Sequence, residues 1–366
     1  MRETRAAVLH EVGAPLRMET IRLRDPGPRE IVVRILAVDV CITDALSSIG
    51  KLLAAPPTVL GHAASAIVEE VGSRVTHVRP GQRVVIAGTP ACGSCFYCVR
   101  GQEYQCVDIV GGIVPPWVIG AREDGTPVHS DGGVGTFAER MVLRESCVVA
   151  VDSSVGDIEL SLLGCGLTSG VGAVVNIARV TPGSSVAVLG AGAIGLWMVQ
   201  GARLAGAAEI VVVEPRAERR EIALAVGATA VHDPADGDPV EFVRGLTEGR
   251  GADYVFEAAG PPSAFAQALT MTRRGGTMVP TGWESRDTTV TLPVVDLTVT
   301  SKTIIGCQYG NTRNRWDLPR FATLLERGLL DPAPVLSKTF TLDEADQALR
   351  AALGHEVVTG VLKMPS

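Results

Sequence analysis

Four cysteines fall within residues 91–106 and follow the spacing C-x2-C-x2-C-x7-C; they are Cys92, Cys95, Cys98 and Cys106. Such a set could form disulfides, a redox-active C-x2-C pair, or a metal site. Zinc accepts four thiolates in a tetrahedron, and a short loop can wrap around one ion. Because four unrelated thiols rarely adopt this spacing, we interpret the cluster as a structural zinc site.

The rest of the chain favours reduced thiols. Residues 1–15 contain no apolar segment long enough for a signal peptide, and no unbroken apolar run reaches the roughly 18 residues that span a bilayer. We therefore expect a cytoplasmic protein, in which disulfides are rare. The 366 residues carry a net charge of −7, which gives no electrostatic basis for binding nucleic acid or an anionic membrane.

A glycine motif lies in the second half of the chain. The segment VAVLGAGAIG contains Gly190-x-Gly192-x-x-Gly195, which follows an apolar strand-like run and opens a predicted helix. In that setting the first glycine permits a tight turn, the second lets the backbone approach a pyrophosphate, and the third lets helix and strand pack closely. The helix N-terminus then faces the phosphates. A glycine-rich turn without a ligand is the less favoured alternative.

The acidic residue Glu214 ends the next predicted strand. A carboxylate there can accept both ribose hydroxyls of NAD and repels the 2′-phosphate of NADP. An ordinary charged strand end is the other interpretation. Arg216, Arg219 and Arg220 follow closely and leave some use of NADP open. The sequence thus predicts NAD as the preferred dinucleotide.

The secondary structure that holds these motifs in place can be predicted from two patterns in the sequence. Residues 1–150 read mainly as short strands and turns, with a segment rich in Gly and Pro at 111–135 that predicts a long loop. From about residue 165, apolar strand-like runs alternate with helical segments, which predicts a parallel sheet with helices on both faces. The predicted fold class is therefore α/β, with a mostly-β part and a doubly wound parallel sheet.

A third group of residues gives little evidence of function when each residue is considered alone. Cys41, Thr43 and Asp44 lie in VCITDAL, His62 lies in VLGHAAS, and Cys165 lies in LGCGLTSG. A lone buried cysteine or histidine is usually structural. Together with the four-cysteine loop, the glycine motif and the segment YGNTRNRWDLPRF, however, these residues form a set that resembles the zinc-dependent medium-chain alcohol dehydrogenases over essentially the whole chain.

The resemblance implies two zinc ions per chain, one structural and one catalytic. Cys41, His62 and Cys165 match the residues that hold the catalytic zinc, and such a set leaves a fourth position open for substrate. Asp44 matches a carboxylate bonded to the imidazole of His62. Thr43 matches the residue that takes the proton from the alcohol.

The resemblance also implies the activity and the nucleotide contacts. The activity is reversible NAD-dependent oxidation of an alcohol to an aldehyde or ketone, with hydride carried by the nicotinamide. Ser169 and Ile194 match positions that contact the nicotinamide half, and Arg219 matches a basic residue at the adenosine ribose.

The implied architecture is a GroES-like, mostly-β catalytic domain built from residues 1–166 and 309–366, with a Rossmann NAD-binding domain at 167–308. The long segment between Cys106 and Phe137 is similar to that of dimeric animal-type members, so we expect a homodimer rather than a tetramer.

Four positions depart from the family pattern. Ala63 stands where a glutamate usually follows the zinc-binding histidine, and Leu46 replaces the relay histidine of liver-type members. Ile42 stands where a basic residue often contacts the pyrophosphate, and Gly88 where a bulky aromatic often narrows the substrate pocket. The first three changes bear on rate, proton path and cofactor binding. Gly88 predicts room for a bulky or secondary alcohol.

Other functions remain open at this point. The missing relay histidine and the open pocket are compatible with a specialised carbonyl or conjugated-alkene reductase of secondary metabolism. Oxidation of a glutathione–formaldehyde adduct is less favoured, because Ile42, Leu46 and Gly88 offer nothing to bind a charged thiol adduct. A non-catalytic nucleotide-binding protein would not need an intact set of catalytic zinc ligands.

Overall fold

The computed structural model describes residues 2–52, 54–108, 117–282, 285 and 287–365. The strands within these residues are β1 (Arg2–Leu9), β2 (Arg17–Leu23), β3 (Glu30–Val40), β4 (Thr58–Val59), β5 (Ala64–Val71), β6 (Arg83–Ile86), β7 (Trp117–Ala121), β8 (Pro127–Ser130), β9 (Arg140–Arg144), β10 (Val148–Ala150), β11 (Ser185–Leu189), β12 (Glu209–Val213), β13 (Ala230–His232), β14 (Ala252–Glu257), β15 (Thr272–Pro280), β16 (Thr303–Ile304), β17 (Leu336–Thr341) and β18 (Thr359–Lys363). The α-helices are α1 (Ile42–Ser48), α2 (Asp157–Ser161), α3 (Gly166–Gly172), α4 (Ala193–Leu204), α5 (Ala217–Val226), α6 (Pro239–Leu246), α7 (Pro262–Met271), α8 (Val294–Thr300), α9 (Asn314–Glu326) and α10 (Ala345–Leu353).

The chain separates into two compact units. The first contains Met1–Thr168, Thr312–Gly328 and Leu336–Ser366, and the second contains Ser169–Asn311 and Leu329–Val335. The first unit thus draws on both ends of the chain.

The first unit is mostly β-structure. Five strands close into a barrel in the order β1-β2-β7-β8-β4, and a seven-stranded sheet runs β10-β6-β5-β3-β18-β17, with β9 also paired to β3. Strand β3 pairs with β5, β9 and β18, and its apolar sequence EIVVRILAVDV is buried along most of its length. Buried side chains of the barrel and the sheet, among them Ile35, Leu60 and Phe137, form one core cluster.

The prediction of a long loop over residues 111–135 is wrong for part of that segment. Strands β7 and β8 pair there as an antiparallel hairpin. The hairpin joins the barrel because Ile119 and Val128 are fully buried, and Gly125 adopts a φ of +84° in the turn between the strands. Burial of these few apolar residues in the barrel stabilises strands in this segment despite its Gly and Pro content. Residues 109–116 lie outside the described part of the chain.

The second unit contains a six-stranded parallel sheet in the order β13-β12-β11-β14-β15-β16. The chain moves outward from β11 to β13 and then crosses back to β14 on the other side of β11. Such a reversal opens a crevice at the carboxyl ends of the central strands, where folds of this kind bind ligands. The predicted α/β class, a mostly-β part with a doubly wound parallel sheet, is confirmed.

None of the described helices is by itself long and apolar enough to cross a membrane. The consecutive helical segments at 157–164 and 166–178 reach the required length and composition only when they are taken together.

Candidate metal and nucleotide sites

Cys41 lies at the junction between β3 and α1, where it caps the helix. Its Sγ accepts the Thr43 backbone N–H at 3.5 Å, and its own N–H donates to Oδ2 of Asp44 at 3.1 Å. This reciprocal capping fixes the orientation of the first helical turn. The thiol of Cys41 and the hydroxyl of Thr43, 3.5 Å apart, therefore lie side by side.

His62 follows a backbone turn that only glycine fits. Gly61 has a φ of +94°, and a Cβ at that position would lie 2.3 Å from Oγ1 of Thr136. The Nδ1 atom of His62 contacts Oδ1 of Asp44 at 2.7 Å, and both side chains are buried. A ring N–H held by a carboxylate in this way orients the other nitrogen, Nε2, toward a metal.

Cys165 brings a second sulfur to the same place from a distant part of the sequence. Its Sγ lies 3.9 Å from Sγ of Cys41, and the ligand atoms of Cys41, His62 and Cys165 all lie within 4.8 Å of one another. A tetrahedral zinc with 2.3 Å bonds to sulfur separates two thiolates by about 3.8 Å. The three side chains thus fit a zinc ion with one open position.

The two thiols of this group have opposite pKa shifts. Hydrogen bonding from Cys165 and the nearby His62 hold the pKa of Cys41 well below its usual range, although burial opposes them. The pKa of Cys165 lies well above its usual range, because its thiol donates to Cys41 and is buried. A coordinated dication would favour the thiolate form of both side chains.

The four-cysteine loop also has the dimensions of a zinc site. The sulfurs of Cys92 and Cys98 are 4.0 Å apart, as are those of Cys95 and Cys106. Backbone N–H groups point at the sulfurs: Cys95 donates to Cys92 and Cys92 to Cys106, each at 3.3 Å. Backbone N–H groups of Cys98 and Val107 lower the pKa of Cys95 to about 6.

All eight cysteines, including Cys147 and Cys307, are free thiols. The disulfide interpretation of the four-cysteine loop therefore has no support. Cys147 is fully buried and Cys307 is partly buried, and burial raises the pKa of both thiols to about 12.

The glycine motif in the second unit has the geometry of a dinucleotide turn. Gly190 follows β11 with a φ of +92°, and Gly192 is the N-cap of α4. A Cβ on Gly195 would lie 1.9 Å from the carbonyl oxygen of Gly190, so only glycine permits this contact between helix and turn. Around Gly192 nothing lies within 4 Å of a Cβ position, which leaves the backbone open to a ligand.

Glu214 lies beside this turn, at the end of β12. Its Oε2 accepts the Ala191 N–H at 2.8 Å, and its Oε1 accepts the Arg216 N–H at 3.0 Å. Glu214 thereby links the turn after β11 to the end of the neighbouring strand. Arg220 donates to the carbonyl oxygens of Glu214 and Pro215 and to Asp233, each at 2.8 Å.

The other nucleotide positions from the sequence lie on helices of the same unit. Ser169 is buried on α3, and Ile194 lies in the first turn of α4. The two helices touch here, because a Cβ on Gly170 would lie 2.6 Å from the carbonyl oxygen of Ile194. Arg219 lies near the start of α5, where burial lowers the pKa of its guanidinium.

Sequence reasoning missed two carboxyl groups near the Cys-His-Cys set. Asp39, two residues before Cys41, is buried, and burial together with the charge of Cys41 raises its pKa well above the usual value. Burial raises the pKa of Asp131 to about 6, while the Ser47 hydroxyl bonds to its carboxyl group. An acidic residue inside the apolar run of β3 is a signal that could have revealed Asp39. No sequence signal marks Asp131.

Comparison with known proteins identifies the family of the chain. The family described as alcohol dehydrogenase GroES-like domain matches residues 27–153, and that described as zinc-binding dehydrogenase matches residues 193–326. The putative alcohol dehydrogenase D of Mycobacterium tuberculosis is 35% identical over 367 residues, which cover 98% of this chain and 99% of that protein. The S-(hydroxymethyl)glutathione dehydrogenase of Synechocystis is 35% identical over 356 residues, covering 94% and 95%.

Comparison with solved structures identifies relatives of the same kind. The alcohol dehydrogenase zinc-binding domain protein from Burkholderia ambifaria matches with a TM-score of 0.93 and 30% identity, and the benzyl alcohol dehydrogenase from Acinetobacter calcoaceticus with 0.92 and 29%; both matches cover all of both chains. The chain therefore belongs to the zinc-dependent alcohol dehydrogenase family, as its sequence predicts. It is an oxidoreductase whose substrates are alcohols or carbonyl compounds of the small-molecule class.

Proposed function

We propose that the protein is an NAD-dependent alcohol dehydrogenase that binds two zinc ions per chain. Cys41, His62 and Cys165 hold the catalytic ion, and the four-cysteine loop holds the structural ion. The observation that carries this proposal is the 3.9 Å separation of the Cys41 and Cys165 sulfurs, with the imidazole within 4.8 Å of both.

The side chains around this set have complementary roles in the reaction. Zinc, when bound, acts as a Lewis acid that lowers the pKa of a substrate hydroxyl. Asp44 accepts the Nδ1–H of His62 and keeps that ligand in one orientation. Thr43, whose hydroxyl lies beside the Cys41 sulfur, accepts the alcohol proton. Leu46 cannot relay this proton, so a ribose hydroxyl of a bound cofactor would serve as the next acceptor after Thr43, before water.

The nucleotide is NAD rather than NADP. The Glu214 carboxylate, fixed beside the glycine turn by two backbone N–H groups, accepts the ribose hydroxyls and repels a 2′-phosphate. Arg220 is already engaged with Asp233 and two carbonyl oxygens. Ser169 and Ile194 contact the nicotinamide half of the cofactor, and Arg219 contacts the adenosine ribose.

Catalysis and nucleotide binding are carried out by different parts of the chain. Residues 1–166 and 309–366 form the catalytic domain, and residues 167–308 form the NAD-binding domain. The chain acts as a cytoplasmic homodimer. Two observations support the dimer: Val294, Val295 and Val299 on α8 are 71–76% exposed, and β16 lies at the edge of the parallel sheet. Apolar side chains beside a sheet edge are typical of an interface. Eight free thiols support the cytoplasm.

The preferred substrate is a bulky, aromatic or secondary alcohol. Gly88 has no side chain to narrow the pocket, and the similarity to a benzyl alcohol dehydrogenase points in the same direction. A charged glutathione adduct suits the site less well, because Ile42 and Leu46 are apolar.

Metal analysis and a turnover assay test the proposal together. Protein purified without chelator should contain two zinc ions per chain, and a Cys41→Ser variant should contain one. NADH absorbance should rise with NAD and a panel of primary, secondary and aromatic alcohols. A wild-type chain with a single zinc ion in the four-cysteine loop, or without turnover of any alcohol or ketone, would contradict the assignment.

A further inference from the structure

A buried carboxyl group at the carboxyl ends of the central parallel strands has no role in the steps above. Glu257 is the last residue of β14 and is 1% exposed. Its Oε1 accepts the backbone N–H groups of Ala259 at 2.8 Å and of Gly260 at 2.7 Å. Burial raises the pKa of this carboxyl group, but a neutral carboxyl group still offers its carbonyl oxygen as an acceptor. The side chain can therefore hold the loop after β14 in either protonation state.

The main chain of Glu257 holds the loop after β15 as well. Its carbonyl oxygen accepts the Thr281 N–H at 2.7 Å, the Thr281 hydroxyl at 2.8 Å and the Gly282 N–H at 3.1 Å. Gly282 in turn lies against the first loop, because a Cβ at this position would be 2.5 Å from the nitrogen of Gly260 and 2.9 Å from Oε2 of Glu257. Glu257 thus connects the two loops that follow β14 and β15.

The loop after β14 also packs against the glycine turn after β11. The Ala258 N–H donates to the carbonyl oxygen of Leu189 at 2.9 Å. A Cβ on Gly190 would lie 3.1 Å from the carbonyl oxygen of Ala258 and 3.1 Å from the Cα of Ala259. The loops after β11, β14 and β15 are therefore in contact, and Glu257 lies where they meet.

The order of the strands indicates which half of a dinucleotide would lie over these loops. Strand β11 lies between β12 and β14, and the strand order reverses between β11 and β14. Dinucleotides bind across such a crevice, with the acidic residue of the second strand at the adenosine ribose and the pyrophosphate at the helix N-terminus. Glu214 marks the adenosine side, next to β12. The nicotinamide half then extends past β11, over the loops after β14 and β15.

We propose that Glu257 is a positioning residue for the nicotinamide half of NAD, and that it acts by fixing the backbone of the loops after β14 and β15. This inference rests on the NAD binding assigned in the proposed function. Two buried carboxyl groups then flank the glycine turn: Glu214 serves the adenosine half and Glu257 the nicotinamide half. A loop that is fixed before the nucleotide arrives does not have to be ordered on binding, so affinity is gained.

Calorimetric titration with two nucleotides tests this role without depending on turnover. NADH contains both halves of the cofactor, whereas ADP contains only the adenosine half and the pyrophosphate. Glu257→Ala removes the acceptor of two backbone N–H groups, and it should raise the Kd for NADH by about 10-fold or more, the factor for ordering about one further residue on binding. The Kd for ADP should stay at the wild-type value. Glu257→Gln, which keeps an oxygen acceptor, should bind NADH nearly as tightly as wild type.

The matched control lies near the opposite end of the same strand. Asp253 accepts the Ser185 N–H at 2.8 Å and pairs with Arg273 at 2.6 Å, but it lies away from the carboxyl ends of the strands, where the crevice opens. Asp253→Ala should lower the Tm and leave the Kd of both nucleotides unchanged. Glu214→Ala, in contrast, should weaken the binding of both NADH and ADP.

The possible outcomes separate this role from the proposed function. A wild-type chain that binds neither NADH nor ADP would overturn NAD binding itself. Tight NADH binding by wild type, together with wild-type affinity in Glu257→Ala, would overturn only the role of Glu257. Equal losses of NADH and ADP affinity, or a glutamine variant as weak as the alanine variant, would do the same.

A shorter side chain decides the matter if the alanine variant fails to fold. Glu257→Asp keeps the carboxyl group but withdraws it by one methylene from the Ala259 and Gly260 N–H groups. This variant should show the same selective loss of NADH affinity, and wild-type affinity for NADH would overturn the role of Glu257.

Discussion

Two glycines of the nucleotide turn should respond to alanine in different ways. At Gly195 the added Cβ would lie 1.9 Å from the Gly190 carbonyl oxygen, which belongs to the backbone and cannot rotate away. Overpacking of this kind costs about 1–3 kcal/mol or more. At Gly192 a Cβ meets nothing within 4 Å, and φ is −76°, which any residue adopts. Alanine there should cost less than about 1 kcal/mol, the difference between glycine and alanine at an N-cap.

Thermal denaturation and NADH titration separate the two effects. Gly195→Ala should lower the Tm by several degrees, since about 1 kcal/mol corresponds to roughly 2–4 °C in a unit of 150–250 residues. Gly192→Ala should lower the Tm less than Gly195→Ala does in the absence of nucleotide but weaken NADH binding, because its methyl group occupies the space that the pyrophosphate approaches. NADH binding as tight as that of wild type in Gly192→Ala would refute this use of the turn, and an unchanged Tm in Gly195→Ala would refute the steric argument.

Four further outcomes are expected. Glu214→Ser should raise kcat/KM for NADP relative to NAD, and a wild-type enzyme with the lower KM for NADP would contradict the role of this carboxylate. Cys95→Ser should remove one zinc ion by elemental analysis and lower the Tm, because structural zinc binding is coupled to folding; an unchanged zinc content would argue against the four-thiolate site. Thr43→Val should lower kcat by about 10²-fold, whereas full activity would exclude the proposed proton path. Gly88→Phe should impair bulky alcohols more than ethanol-sized ones, and equal losses would mean that this residue does not line the pocket.

The sequence predicts best those features that depend on adjacent residues. The glycine motif lies between an apolar strand and a helix, so spacing alone predicts the turn at Gly190 and the open backbone at Gly192. The four-cysteine loop is equally local. The hairpin of β7 and β8 was not predicted, because its burial depends on two side chains, Ile119 and Val128, that enter a barrel formed by distant strands.

Contacts across strands are harder to predict than motifs. The match of Ala63 to a missing glutamate is visible in the sequence, but its pairing with Asp39 depends on the register of β3 and β5. A shift of one residue would reverse the face of every side chain in the strand. The contact between Asp131 and Ser47 likewise joins two segments that have no shared motif.

The two candidate zinc sites differ in how much of the fold they require. The structural ligands come from one short segment, so few residues must be ordered to bring their sulfurs together, and the entropy of closing such a loop is small. Cys41 and Cys165, by contrast, are separated by 124 positions along the chain. The end of β3 and the turn that carries Cys165 must already be in place before these two sulfurs can share one ion. With zinc bound at both sites, loss of the ion from the Cys-His-Cys set would leave most of the first unit supported by its own core, whereas loss of the ion from the four-cysteine loop would remove the main constraint on that loop.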